Sequence, residues 1–151
     1  MCGVVGIIGR IEASSLVIEG LKKLEYRGYD SAGIASFNQE TIQVVKSEGK
    51  LVNLISKLND LSLSNLYFDT SIALGHTRWA THGNININNA HPIISENRVA
   101  VVHNGIIENY TSIKKKLESE GFIFTSDTDT EILPHLFTKY LKMGNNFLEA
   151  G

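Results

Sequence analysis

The chain has 151 residues, of which 42% are hydrophobic and 20% charged, and its formal net charge at pH 7 is −2. This length and composition are typical of one globular domain, and the nearly balanced charge favours neither nucleic acid nor an anionic membrane as a partner. The single cysteine, Cys2, excludes an internal disulfide bond and a multi-cysteine zinc site. A small or neutral ligand is therefore expected.

The first third of the chain predicts a strand, a helix and two further strands. Residues 3–8 (GVVGII) are β-branched without a helical period, as in a buried strand. They make a poor signal peptide because glycines interrupt the run and no basic region precedes it, so we expect a cytoplasmic location. A helix is predicted over residues 13–26, ending at Gly28, and strands over residues 33–37 and 42–46.

The remainder of the chain predicts a mixture of both element types. A helix at residues 51–58 precedes a strand at residues 71–77, and a strand at residues 98–103 precedes helices at residues 110–117 and 132–141. Strands with helices between and after them predict one layered α+β domain.

Two segments in the remainder of the chain carry further sequence signals. Residues 78–92 are polar, rich in asparagine and without periodicity, which predicts a functional loop. Thr128 and Glu131 have the spacing of a capping box for the last helix. Pro134 would remove a hydrogen bond if it lay beyond the first turn, so this helix is expected to begin near Thr130.

Cys2 is the first candidate for a catalytic residue. A small side chain at position two usually permits removal of Met1, which would leave a thiol and a free α-amine on the same residue. Such an amine has an ordinary pKa of about 7.7–8.0, so it can accept the thiol proton and later return it to a leaving group. The alternative is a small hydrophobic residue that begins a buried strand.

Four further residues match what a cysteine amidase requires. Attack on an amide creates an oxyanion, and Asn104 and Gly105, after an apolar strand, offer a side-chain amide and a backbone N–H to it. Arg78 and Asp129 are candidates to bind the carboxylate and the ammonium group of an amino acid. Taken singly, these residues also fit a plain turn, an exposed arginine and a helix cap.

The five histidines do not have the spacing of a metal site, since the chain contains no H-x-x-x-H, H-E-x-x-H or C-x-x-C pattern. We expect them to form hydrogen bonds at strand ends and in loops. The glycines form neither of the common phosphate-binding patterns. No metal or other cofactor is therefore expected.

Six collinear blocks resemble the glutaminase domain of the glucosamine-6-phosphate synthase family. They are MCGVVG at residues 1–6, LEYRGYDSAG at 24–33, HTRWATHG at 76–83, AHP at 90–92, HNGIIEN at 103–109 and TDTE at 128–131. The resemblance implies an N-terminal nucleophile (Ntn) hydrolase fold, which is an αββα sandwich of antiparallel sheets, here expected to be incomplete.

The same resemblance implies the central chemistry, the hydrolysis of L-glutamine to glutamate and ammonia through a thioester. Cys2 would be the nucleophile and, through its α-amine, the base. Asn104 and Gly105 would form the oxyanion hole. Arg78 would bind the carboxylate of glutamine and Asp129 its α-amino group.

Four more residues are implied to contribute to glutamine binding. Trp79, Thr81 and His82 would belong to the loop that closes over the substrate, and Arg27 to the tract that packs near the cysteine. Closure of this loop would exclude water from the thioester.

In this family, ammonia passes to a sugar isomerase domain that aminates fructose-6-phosphate. Residues 1–151 are expected to be a shortened type 2 glutamine amidotransferase domain without that isomerase region. A homodimer would form through the missing region.

Three alternatives stay open. The first is the glutaminase of amidophosphoribosyltransferase, although Tyr29, Asp30 and Trp79 favour the glucosamine family because the other family resembles Gln-Glu and Tyr at those places. The second is a domain that binds glutamine without catalysis, and the third is a metal-dependent amidase.

Overall fold

A four-stranded antiparallel sheet organises the first half of the chain. The computed structural model describes residues 2–10, 12–38, 41–62, 70–80, 84–146 and 148. The strands are β1 (Gly3–Ile8), β2 (Ser31–Asn38), β3 (Thr41–Glu48) and β4 (Ile72–Arg78), in the spatial order β1-β4-β2-β3. Because β4 lies between β1 and β2, the end of β4 is held beside the beginning of the chain.

Two amphipathic helices cover one face of this sheet. They are α1 (Ala13–Leu24), which a 3₁₀ turn extends to Arg27, and α2 (Leu51–Ser62). Val17 and Leu21 of α1 are fully buried against β4 at Gly75, where an added Cβ would stand 2.4 Å from Val17 Cγ1. The absence of a side chain at residue 75 therefore lets helix and sheet approach closely.

The second half contains a hairpin and two further helices. The hairpin strands are β5 (Ile93–Ser95) and β6 (Val99–Val101), followed by α3 (Tyr110–Ser119), a 3₁₀ turn (Asp129–Glu131) and α4 (Ile132–Lys142). α4 packs against both hairpin strands and against α3.

The two halves meet on the sheet face that α1 and α2 leave uncovered. Gly33 of β2 lies so close to the loop before β5 that an added Cβ would stand 2.1 Å from the carbonyl oxygen of His91. The ring of His76, which pairs with Gly33 across β4 and β2, lies 4.5 Å from the His91 ring. Helices therefore lie outside two antiparallel sheet layers, as the predicted αββα arrangement requires.

The predicted elements are all present, with one strand added. The expectation that residues 3–8 form a buried strand is wrong, because β1 lies at the edge of the sheet and Val4 and Ile8 are exposed. β5 was not predicted, because three residues after a proline give too little pattern to recognise. The β5–β6 turn contains Glu96 and Asn97, both with positive φ, as in the tight turns that join hairpin strands.

The predicted capping box is wrong. The side chain of Thr128 makes no capping hydrogen bond to the following turn. Glu131 instead accepts hydrogen bonds from Thr125 and Ser126, because it is fully buried against the preceding loop. α4 begins at Ile132, so Pro134 lies in the first turn, where its missing N–H removes no helical hydrogen bond.

None of the helices in the described part of the chain combines the length and apolarity that a bilayer span requires.

Candidate active site

A cavity of about 420 Å³ lies where the beginning of β1, the end of β4 and the loop after β6 come together. Six of the nine predicted site residues line it: Cys2, Arg78, Trp79, Asn104, Gly105 and Asp129. They come from four separate segments of the chain. The tertiary fold therefore brings these six predicted residues together in one cavity.

Strand pairing brings Cys2 to this cavity. β1 runs antiparallel to β4 with Gly3 opposite Thr77, and the Gly3 N–H donates to Thr77 Oγ1 at 3.1 Å. The N–H of Trp79, just after β4, donates to Cys2 Sγ at 3.3 Å, and Sγ lies 3.8 Å from the Trp79 carbonyl oxygen. Cys2 is a free, half-buried thiol, so its sulfur is both positioned and accessible.

Trp79 forms part of the cavity wall and packs on the turn after α1. Gly28 in that turn has φ +72°, and an added Cβ there would stand 2.7 Å from Trp79 Cζ3. Both the backbone conformation and the close approach of the indole favour glycine at this position.

Arg27 is exposed and its guanidinium lies 5.7 Å from the Tyr26 ring centroid, outside the residues that line the cavity. Thr81 and His82 lie outside the described residues.

Asn104 and Gly105 follow β6 and are exposed towards the cavity. The Oδ1 atom of Asn104 lies 2.8 Å from Nε2 of the fully buried His76 on β4. Behind Gly105, an added Cβ would stand 2.7 Å from His103 Nε2. The two predicted oxyanion donors thus each lie beside a histidine, Asn104 beside the buried His76 and Gly105 beside the half-buried His103.

The predicted substrate-binding charges lie in the same cavity. Arg78, the last residue of β4, is 6% exposed. Asp129 begins the 3₁₀ turn before α4, and its Oδ2 accepts the backbone N–H of Ile107 at 2.7 Å. This hydrogen bond ties the turn to the loop that carries Asn104 and Gly105.

Three histidines, His76, His91 and His103, also line the cavity. His103 donates its backbone N–H to His91 Nδ1 at 3.4 Å, and the His91 ring packs on that of His76. Burial, reinforced by neighbouring positive groups, lowers the pKa of His91 to about 2. Burial likewise lowers the pKa of His76 to about 4. Both rings are therefore neutral near pH 7.

Three histidines behave as the predicted hydrogen-bonding residues of strands and loops, whereas His135 lies on α4 and bonds Ser95, and His82 lies outside the described residues. His76, His91 and His103 bond or stack with one another and with Asn104. Within the described ranges, no group of three or more His, Cys, Asp or Glu side chains is arranged to hold a metal ion.

Sequence analysis missed the residues that hold the loop after β4. Asp30 Oδ2 accepts the backbone N–H of Ala80. Farther along, the buried side chain of Asn89 accepts the Asp127 N–H at 2.8 Å and donates to the Asn84 carbonyl oxygen at 2.9 Å. Asp30 belongs to the block at residues 24–33, but nothing in the sequence around it indicates that its carboxylate accepts a backbone N–H from a residue 50 positions later. Asn89 gives no sign either, since it stands among other asparagines.

Comparison with known proteins agrees with this geometry. Residues 59–150 match the family model described as a glutamine amidotransferase domain. The chain is also similar to proteins named glutamine–fructose-6-phosphate aminotransferase [isomerizing]. Identity is 52% over 151 residues in Clostridium tetani, 53% over 150 residues in Helicobacter pylori and 49% over 151 residues in Pyrococcus horikoshii. Each alignment covers 99% of this chain but 24% of the relative, so the chain spans about a quarter of the length of these proteins.

Two solved structures share the fold. One is described as the allosteric regulatory enzyme of purine biosynthesis, with a TM-score of 0.76 and 34% identity over 92% of this chain and 30% of that one. The other is the glutamine phosphoribosylpyrophosphate amidotransferase from B. subtilis complexed with ADP and GMP, with a TM-score of 0.72 and 33% identity over 92% and 29% of the two chains. These structures confirm the expected Ntn-hydrolase class of α+β fold. By its matched domain, its fold and the contents of its cavity, this chain belongs to the glutamine amidotransferase domain family.

Proposed function

We propose that this chain hydrolyses L-glutamine to glutamate and ammonia through a thioester on Cys2. The observation that carries the proposal is that one cavity is lined by Cys2, Asn104, Gly105, Arg78 and Asp129. A nucleophile, oxyanion donors and groups of both charges are what an amino-acid amide requires.

In the first half-reaction, the Cys2 thiolate attacks the side-chain amide carbon of glutamine and a C–S bond forms. Once Met1 is removed, the α-amine of Cys2 accepts the thiol proton and returns it to the leaving nitrogen as the C–N bond breaks. Ammonia and a thioester result. Water, deprotonated by the same amine, then hydrolyses the thioester to glutamate and restores the thiol.

The oxyanion forms twice on this path, once before each product leaves. The side-chain N–H of Asn104 and the backbone N–H of Gly105 are the proposed donors to it. Their exposure to the cavity supports this role, because the charge develops on an oxygen next to Cys2.

Arg78 and Asp129 are proposed to bind the two ends of the amino-acid group. Arg78 would pair with the carboxylate, and Asp129 would accept a hydrogen bond from the ammonium group. Trp79 would form a wall of the substrate site, with Thr81 and His82 in the closing loop. The contribution of Arg27 to substrate binding stays a prediction from the family resemblance, since the proposal does not need it.

The full-length gene product is proposed to transfer the ammonia to fructose-6-phosphate on a sugar isomerase domain and to form a homodimer through it. The relatives at 49–53% identity carry the name glutamine–fructose-6-phosphate aminotransferase, whereas the solved structure named as a glutamine phosphoribosylpyrophosphate amidotransferase is 33% identical to this chain. This difference favours the glucosamine enzyme over the phosphoribosyl alternative. We also propose a cytoplasmic location.

The direct test is to incubate the full-length gene product with glutamine and either fructose-6-phosphate or phosphoribosyl pyrophosphate. Glutamate should form, and an amino sugar phosphate should appear only with fructose-6-phosphate. Intact mass measurement should show loss of Met1, and 6-diazo-5-oxo-norleucine, an electrophilic glutamine analogue, should label Cys2.

Each outcome has a separate meaning. Transfer to phosphoribosyl pyrophosphate alone would support the alternative enzyme. Glutamine binding without glutamate formation or labelling would identify a non-catalytic domain, and activity that a chelator abolishes would indicate a metal-dependent amidase. Retention of Met1 in an active protein would contradict the α-amine as base.

A further inference from the structure

His76 contacts Asn104, the proposed oxyanion donor. It lies on β4, is 0% exposed, and places Nε2 at 2.8 Å from Asn104 Oδ1. The two residues are 28 positions apart, and Asn104 stands on a loop outside the four-stranded sheet. The contact therefore links that loop directly to the central strand beside Cys2.

The chemistry of the two groups determines which one donates. A carboxamide oxygen only accepts hydrogen bonds, so His76 must carry a proton on Nε2. Its other nitrogen, Nδ1, is buried and has no hydrogen-bond partner within the described part of the chain. Because burial lowers the pKa of His76 to about 4, the neutral ring carries one proton near pH 7, and that proton is on Nε2.

This hydrogen bond decides which end of the Asn104 amide faces the substrate. Oxygen and nitrogen of a carboxamide diverge from its planar carbon, so an oxygen held by His76 directs the N–H₂ group away from the buried ring. Asn104 is exposed on its cavity side. A half-turn of the amide would instead present a carbonyl oxygen, which repels the oxyanion.

We propose that His76 is a positioning residue, which holds Asn104 with its N–H₂ group towards the cavity and its oxygen away. The inference rests on the proposed function, in which that group stabilises the oxyanion. His76 itself touches no reacting atom and acts through Asn104.

The surroundings of His76 restrict its ring to this orientation. The His91 ring packs on it with centroids 4.5 Å apart and planes at 42°. His91 is itself held by the His103 N–H, in the residue just before Asn104. The donor and the acceptor of the orienting hydrogen bond thus belong to one packed unit, which keeps the amide fixed before substrate arrives.

The test is glutamine hydrolysis by variants of the full-length gene product. His76→Leu removes the donor, and His76→Phe removes it while keeping a ring. Both should lower kcat about 100-fold, as does removal of one oxyanion donor, with KM for glutamine within about threefold. His76→Gln offers an amide N–H at a similar reach and should stay within about tenfold of wild type in kcat. Wild-type kcat in the Leu and Phe variants would overturn the proposal.

A double-variant cycle separates positioning from a general structural effect. Asn104→Ala alone should lower kcat about 100- to 1000-fold. Adding His76→Leu to it should lower kcat less than about threefold further, because the residue through which His76 acts is already gone. A second full loss in the double variant would overturn the positioning role.

The matched control is His135→Leu, which removes another buried imidazole. His135 is bonded to Ser95 and lies outside the cavity. The kcat of this variant should stay within about twofold of wild type. If kcat fell as far as in His76→Leu, the loss in His76→Leu would be a nonspecific effect of removing a buried histidine, and the proposal would be overturned.

A further measurement determines the tautomer of His76 in the wild-type protein. In ¹⁵N-histidine-labelled wild-type protein, the His76 resonances, identified by their loss in His76→Gln, should show the Nε2–H tautomer at pH 7. The Nδ1–H tautomer would contradict the proposal. Failure of the proposed function can be distinguished from failure of the His76 proposal. It would appear as no glutamine hydrolysis by the wild type, or as hydrolysis retained in Cys2→Ala. In either case the proposed role of His76 would also be contradicted.

Discussion

The backbone N–H of Trp79 donates to Cys2 Sγ at 3.3 Å, joining two residues that are 77 positions apart. The contact follows from the register of β1 against β4, which sets Gly3 opposite Thr77. The proposed nucleophile is therefore placed by the pairing of the edge strand β1 with β4 rather than by a loop. Such placement reduces the reorganisation needed when substrate enters.

Replacement of Cys2 by alanine should abolish glutamine hydrolysis but keep glutamine binding measurable. Alanine removes the attacking sulfur, while Arg78 and Asp129 remain in the cavity. Turnover is measured as glutamate release and binding by calorimetry, both on the full-length gene product. Retained turnover would rule out Cys2 as the nucleophile, and a protein that binds no glutamine would show that the thiol also supports the site's structure.

Asp129→Asn should weaken glutamine binding about 10- to 100-fold, because the ammonium group loses a charged acceptor. The hydrogen bond from the Ile107 N–H can be kept by the amide oxygen of asparagine, so the loop should stay in place. Calorimetry in the Cys2→Ala background separates affinity from turnover.

Asp60→Asn is the matched control for this change, since it removes the same charge from the exposed surface of α2. Its glutamine affinity should equal that of the Cys2→Ala background. An unchanged affinity in Asp129→Asn would show that Asp129 does not bind the ammonium group.

Gly33→Ala should destabilise the protein by about 3 kcal/mol, at the upper end of what overpacking costs. The new Cβ would stand 2.1 Å from the His91 carbonyl oxygen, and backbone cannot move aside as a flexible side chain does. Gly6→Ala adds the same methyl group on β1, where nothing lies within 4 Å, and should change stability by less than about 0.5 kcal/mol. Urea denaturation measures both, and equal stability of the two variants would contradict the tight contact between the halves.

The buried carboxylate of Glu131 should make stability depend on pH. Burial raises the pKa of Glu131, but the adjacent His135 and hydrogen bonds from Ser126 and Thr125 outweigh it and lower the pKa from 4.5 to about 2. The ionised carboxylate therefore stabilises the folded state fully above about pH 4.5, and this contribution, roughly 3 kcal/mol, is lost as pH falls towards 2.

Glu131→Gln tests this dependence. Its free energy of unfolding should lie about 3 kcal/mol below wild type at pH 7, and the two curves should converge as the pH falls below about 4. Glu118→Gln, on the exposed surface of α3, removes the same charge and should stay within about 0.5 kcal/mol of wild type at pH 7. A constant gap between Glu131→Gln and wild type from pH 7 to pH 3 would contradict the assigned pKa.

Local pattern was sufficient to predict the longer elements. The β-branched run of residues 3–8 and the apolar spacing of residues 51–58 correspond to β1 and to most of α2. Both signals arise from neighbours in the chain, because a strand repeats every two residues and a helix every 3.6. β5 and the partners of Glu131 escaped prediction, since the strand is too short to show a period and the carboxylate is held by a loop.

The sequence by itself determined the chemical groups of this protein. It supplied the second-position thiol of Cys2, the Asn104–Gly105 pair, and charges of both signs in Arg78 and Asp129, and their types already indicated amide chemistry. Only the tertiary structure decided that these residues share one cavity while Arg27 stays outside it, and that His76 supports Asn104. The physical reason is that the chemistry of a side chain belongs to each residue alone. Distances between residues dozens of positions apart depend instead on how strands pair and how sheets pack.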